Sequence, residues 1–163
     1  MNCFDDIHSI FRKNPDASAC IYGSPKYPDI CGTVMFYQLC GCVAVRAEIT
    51  GLPAPDSQCA ERIFGFHIHD GCECTGNQSD PFANADGHYN PCDCPHPYHA
   101  GDLPPLFGAG QRAFSLFITD RFRVSDITGK TVIIHGSPDD FTSQPAGNAG
   151  EKIACGIVKS FCR

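Results

Sequence analysis

Three features are missing from this sequence. No apolar run approaches the roughly 20 residues of a membrane-spanning helix, so a membrane partner is not expected. No cluster or stripe of lysine and arginine occurs: 12 basic residues face 18 acidic ones, for a net charge of -6, which argues against nucleic acid as a partner. No long segment repeats apolar residues with a 3.6-residue period, and there is no internal repeat, so neither a helical bundle nor a repeat array is expected. The N-terminus, Met1 to Asp6, is acidic where a secretory signal would be basic and then apolar. The chain as given is therefore expected to be cytoplasmic, where most thiols stay reduced.

What is present fits one domain. A chain of 163 residues buries roughly 70% of the surface that its unfolded form exposes, and needs no metal or disulfide merely to fold. Residues 1–16 lack clear periodicity, apart from a short helical piece at Asp6 to Lys13, and read as a loosely attached N-terminal extension preceding a domain at 17–163. From Ser18 onward, short β-branched and aromatic runs alternate with turn residues. Ala19 to Tyr22, Thr33 to Leu39, Cys42 to Ile49, Ile63 to His69, Ala113 to Thr119, Thr131 to Ile134 and Ile153 to Val158 are predicted strands. In Cys42 to Ile49, Val43, Val45, Ala47 and Ile49 share one face. This pattern implies an all-β antiparallel sandwich or barrel.

Five of the seven histidines lie between His67 and Asp102. His67 and His69 project from the same face of a strand because side chains alternate, so both can reach one ion. The segment from Asp70 to Leu106 is rich in Gly, Pro, Asn, Asp and Cys. A loop that long in a compact domain is usually functional, and imidazoles spaced along it point to a metal site.

Five motifs in order carry a family resemblance: Gly65-Phe66-His67-Ile68-His69, Gly87-His88-Tyr89-Asn90-Pro91, His99-Ala100-Gly101-Asp102-Leu103, Val132-Ile133-Ile134-His135 and the run Gly147 to Gly156. Over Ala17 to Lys159 the chain resembles the Cu/Zn superoxide dismutases. The resemblance implies a Greek-key β-sandwich or flattened barrel with two long functional loops. It implies copper ligands His67, His69, His88 and His135, and zinc ligands His88, His96, His99 and Asp102, with His88 bridging both ions. It further implies that copper is reduced by one superoxide and re-oxidised by the next, yielding oxygen and hydrogen peroxide, while His88 takes and returns a proton. Asp139 matches a family aspartate that hydrogen-bonds a copper ligand and a zinc ligand, although a one-residue shift would exchange it with Asp140. Cys74 and Cys155 match the family disulfide, with Cys72 close enough to Cys74 to compete. A copper-delivery protein and a homodimer are the implied protein partners. His8 lies outside every motif and receives no role.

The other ten cysteines have no family role. Cys40 with Cys42, Cys72 with Cys74, and Cys92 with Cys94 share a C-x-C spacing, closer than the C-x2-C usual for zinc. Cys92 and Cys94 fall between His88 and His96, where they read either as simple loop residues or as a Cu(I) site. Lys152 stands where the family has an anion-attracting arginine, which keeps the charge but loses the planar fork. Glu151 precedes it, and the loop Gly136 to Gly150 has no lysine or arginine. Activity is therefore expected to be slower or more salt-sensitive than is usual for the family. Two other classes fit some of these residues. One is a copper or zinc store with low dismutase activity, suggested by the extra cysteines and Lys152. The other is a structural sandwich, against which the remote ligand His135 argues.

Overall fold

A computed structural model of the chain describes residues 10, 12–55, 57, 59 and 62–161. Its strands are β1 (Ala17–Gly23), β2 (Cys31–Gln38), β3 (Val43–Thr50), β4 (Ile63–Phe64), β5 (Phe66–His69), β6 (Leu106–Ala109), β7 (Arg112–Thr119), β8 (Thr131–His135) and β9 (Lys152–Ser160), with a helical turn α1 (Val124–Ile127). All strand pairs are antiparallel, in the order β4-β6-β7-β3-β2-β1-β9-β8-β5. The two outermost strands, β4 and β5, are separated in sequence by Gly65 alone. The row therefore closes on itself as a nearly complete barrel, and the passages β3 to β4 and β7 to β8 step over intervening strands in Greek-key fashion.

The expected single strand Ile63 to His69 is thus two pieces. Gly65 N–H donates to Ser137 O at 2.8 Å instead of joining a ladder, and a Cβ there would stand 2.8 Å from that of Ala149. Strand β6 was not foreseen, because Leu106 to Ala109 is too short to show a period.

The alternating pattern has the expected consequence. Val34, Phe36, Val45, Ala47 and Ile49 point into one apolar core with Phe66, Ile68, Val132 and Ile134. Each large side chain so buried contributes about 1.5–3 kcal/mol. The opposite face of β2, β3 and β7 is apolar as well: Tyr37, Leu39, Cys42 and Ala44 form a second cluster completed by Ile10. The described part of the N-terminal segment is consequently packed, not loose. Asp16 accepts from Gln38 N–H at 2.8 Å, and Lys13 donates to Gln38 O at 3.0 Å. His8 and most of Asp6 to Lys13 lie outside the described residues.

A third cluster positions the site. Phe82 and Ala85, from the loop after β5, pack on Ile133 and Cys155 of the outer barrel face. The Cys74–Cys155 disulfide fastens the same loop, while Cys72 remains a thiol.

Candidate metal centre

Strand β5 inserts Phe66 and Ile68 into the core, so His67 and His69 face outward beneath the loops, at 0% and 2% exposure. The two ends of segment 88–102 lie alongside this strand. Tyr89 N–H donates to Ile68 O at 2.8 Å, and Ile68 N–H donates to Gly101 O at 2.9 Å, which places His88 beside His69 and Asp102 beside His67. Only glycine fits at 101, since a Cβ would lie 2.2 Å from the Ile68 carbonyl oxygen. His135 ends β8 at a register shift, its N–H bonded to Gly65 O at 2.8 Å.

These contacts gather two four-residue groups sharing one member: His67, His69, His88 and His135, and His88, His96, His99 and Asp102. Within each group the potential ligand atoms lie within 4.8 Å of one another. All seven expected ligands are therefore brought together.

Hydrogen bonds fix which nitrogen of each ring faces inward. His69 donates Nδ1–H to Asp86 O at 2.7 Å, and His135 donates Nδ1–H to Gly150 O at 3.1 Å, leaving both Nε2 lone pairs for an ion. Those two Nε2 atoms stand 3.3 Å apart. His67 and His96 do the reverse: each donates Nε2–H to the Asp139 carboxylate, at 2.8 and 2.9 Å, so each presents Nδ1. Asp139 thus ties one member of each group to the other, a support that orients imidazoles and raises their basicity. Gly147 makes this possible, because a Cβ there would lie 2.0 Å from Asp139 Oδ1 and 2.6 Å from His96 Nε2. Asp140 instead accepts from Thr142 and Ser143 in a surface turn, which settles the choice between the two aspartates.

His88 Nδ1 stands 2.7 Å from Asp102 Oδ1 and 3.5 Å from His99 Nδ1, so its Nε2 faces the other group. Asp102 Oδ2 is 3.1 Å from His96 Nδ1. Among the described residues, the buried ring nitrogens His67 Nδ1, His88 Nε2 and His96 Nδ1 make no hydrogen bond, His96 Nδ1 facing Asp102 Oδ2 without one. Orphaned buried polar atoms are costly, and three lone pairs turned toward these groups suit the binding of metal ions. A set of four imidazoles suits copper, and three imidazoles with one carboxylate suit zinc.

Electrostatics agree. Burial, reinforced by His135 and His88, holds the His69 pKa well below its ordinary value, and burial lowers His67 against the opposing Asp139 bond. Burial and then His67 push His135 down to about 3. These rings are neutral ligands at physiological pH. Burial acts to raise the Asp139 pKa, but hydrogen bonds from His67, Phe141 N–H and His96 hold it well below the carboxylate range.

Two supports were invisible in sequence. Gln144 clamps the His96 backbone, accepting its N–H at 3.0 Å and donating to its carbonyl at 2.7 Å. Arg121 Nη1 donates to the carbonyls of Pro97, His99 and Asp102 at 3.2, 3.2 and 3.1 Å. Lys152 sits across from His135 in the β8–β9 ladder, but its ammonium is bonded to Asp80 at 2.7 Å and to Phe82 O at 3.1 Å. Glu151, expected to oppose Lys152, is engaged by Lys26 at 2.7 Å and Tyr27 at 2.6 Å. Among the described residues no cysteine joins either ligand group. Cys20, Cys31, Cys59, Cys72 and Cys92 are exposed thiols, Cys94 is half-buried, and Cys42 is disulfide-bonded.

The fold and the centre together define an antiparallel β-barrel with a two-metal site built around a shared imidazole. Residues 30–158 match the family model for copper/zinc superoxide dismutase. The chain is 33% identical over 152 residues to the superoxide dismutase [Cu-Zn] of Legionella pneumophila, covering 88% of this chain and 87% of that one. It is 35% identical over 134 residues to superoxide dismutase [Cu-Zn] 1 of Aquifex aeolicus, covering 72% and 73%. A solved structure of Cu/Zn superoxide dismutase from Brucella abortus superposes with a TM-score of 0.71 at 23% identity, over 86% of this chain and 98% of that one, and shows the shared fold. The chain belongs to the copper/zinc superoxide dismutase family.

Proposed function

We propose that this protein disproportionates superoxide, converting two superoxide ions and two protons into oxygen and hydrogen peroxide. The carrying observation is His88, whose two ring nitrogens face separate ligand groups with the second, Nε2, left without a protein partner. When bound, copper would supply one-electron exchange with superoxide and zinc would supply fixed positive charge. His67, His69, His88 and His135 would hold copper; His88, His96, His99 and Asp102 would hold zinc. Because Nδ1 of His88 is kept on the Asp102 side, Nε2 is the atom at which this ring holds or releases a proton. Asp139, Asp86 O and Gly150 O hold the other copper-side rings in fixed orientation, so little reorganisation accompanies the reaction.

A metal-storage role draws no support from the cysteines, since no thiol joins either group among the described residues. Loading the protein with copper and zinc, measuring bound metal and following superoxide decay tests the proposal. Fast decay is expected; full copper occupancy without decay would favour a store, and failure to take up copper a structural barrel.

A further inference from the structure

The cavity beside His135 has no cationic side chain among its described walls. Its volume is about 690 Å³, its other described walls come from Ser143–Ala146 and Asn148–Gly150, and none of these is charged. An anion entering here meets no cationic side chain on these walls, in a protein whose net charge is -6. The nearest candidate by register is Lys152, directly across from His135, yet only 16% of its side chain is exposed and its ammonium is held by Asp80 and Phe82 O. Nearby lysines are matched in the same way, Lys26 by Glu151 and Lys130 by Asp70.

Asp80 is built for this grip. Its Oδ1 accepts Phe82 N–H at 3.0 Å, leaving Oδ2 for Lys152 at 2.7 Å. Phe82 is buried against Ile133 and Cys155, and the disulfide anchors the loop a few residues earlier, so the carboxylate is presented from a fixed platform.

We propose that Asp80 is an attenuating residue: by pairing with Lys152 it cancels the charge of the lysine that lies across the β8–β9 ladder from His135, a residue of the copper group, and so weakens the attraction of small anions to the metal centre. The inference rests on the proposed reaction for its physiological meaning, but not for its test. It also narrows the expectation from sequence. A paired Lys152 gives a slow rate with weak salt dependence, not a salt-sensitive one, because screening acts little on a charge that is already cancelled at short range.

Asp80→Asn removes the negative charge while its amide oxygen can still accept Phe82 N–H. On protein loaded with copper and zinc, azide affinity should rise roughly two- to fivefold at low salt, since a net unit charge at about 10 Å alters an anion's energy by a fraction of a kcal/mol or more. The superoxide rate constant should rise by a similar factor and fall more steeply with ionic strength. Adding Lys152→Gln to the same variant should erase both gains, and Asp80→Glu should leave azide affinity near that of the parent. Asp80→Ser provides a second neutral variant. Unchanged or weaker azide binding in both neutral variants at full metal content would overturn the proposal. Loss of copper from both would overturn it too, by showing the pair to be only a strap. If the parent binds copper and azide but does not consume superoxide, the proposed reaction fails while the azide comparison still decides the role of Asp80.

Discussion

The two halves of the metal centre are built differently. Apart from the shared His88, the copper half is carried by strands: His67 and His69 on β5 and His135 at the end of β8, joined by the ladder that pairs Phe66 with Ile134. The zinc half comes from a single irregular segment, His88 to Asp102, whose shape depends on bonds from elsewhere: Asp139 and Gln144 on one side and Arg121 on the other. A ladder positions ligands through many cooperative backbone bonds. A loop needs separate clamps, and Gln144 and Arg121 are points at which zinc binding can fail without disturbing copper.

The sharpest test of this contrast is Asp139, the clamp common to both halves. Asp139→Asn replaces a carboxylate that accepts from two imidazole rings by an amide whose single oxygen can serve only one of those rings, so copper and zinc affinity should both fall, by about 10- to 100-fold. Chelator competition titrations of each metal measure this, and a loss confined to zinc would break the view that Asp139 couples the halves. A smaller effect is expected from Arg121→Gln, which removes the charged donor from three loop carbonyls. Zinc affinity should drop on the order of tenfold, consistent with the typical 1.5–3 kcal/mol of hydrogen bonds to a charged group, with copper affinity unchanged. Equal losses of both metals would show that segment 88–102 is not an independent clamp site.

The mildest effect concerns acid. In the metal-free protein His67, His69 and His135 all have pKa values lowered by burial, so the unfolded chain takes up protons first as pH falls. Their contribution to stability is complete above the ordinary imidazole value of 6.5 and is lost below it, continuing for His135 toward about 3. Urea midpoints should therefore decline from pH 7.5 to pH 4, and substituting His135 by Gln should flatten part of that slope. A midpoint independent of pH would mean that the copper half is not the buried, neutral cluster described.

The fold was legible where alternation ran for seven or eight residues, as in β2, β3 and β7, because a period of two is written in the chain itself. It was not legible at β6, whose four residues show no period, nor at Gly65, where closure of the barrel and not local preference breaks the strand. Ile10, in the described part of the N-terminal segment, looked unattached because its partners, among them Tyr37 and Ala44, occupy the outer face of strands whose inner face dominated the pattern.

The members of the two candidate ligand groups were legible in the sequence, through motifs in the order of the family they resemble. Their chemistry lies in residue type, and local spacing fixes what is shared locally, as when His67 and His69 emerge on one side of β5. Tertiary structure decided the rest: that Asp139 and not Asp140 joins the two halves, that Cys74 and not Cys72 meets Cys155, and that Arg121 and Gln144 hold the zinc segment. It also decided that the acid facing Lys152 is Asp80, 72 residues away, and not the adjacent Glu151. These are pairings between distant segments, set by which strands the closed barrel brings side by side; the family motifs pointed to Asp139 and Cys74, but nothing near Arg121, Gln144 or Asp80 records their partners.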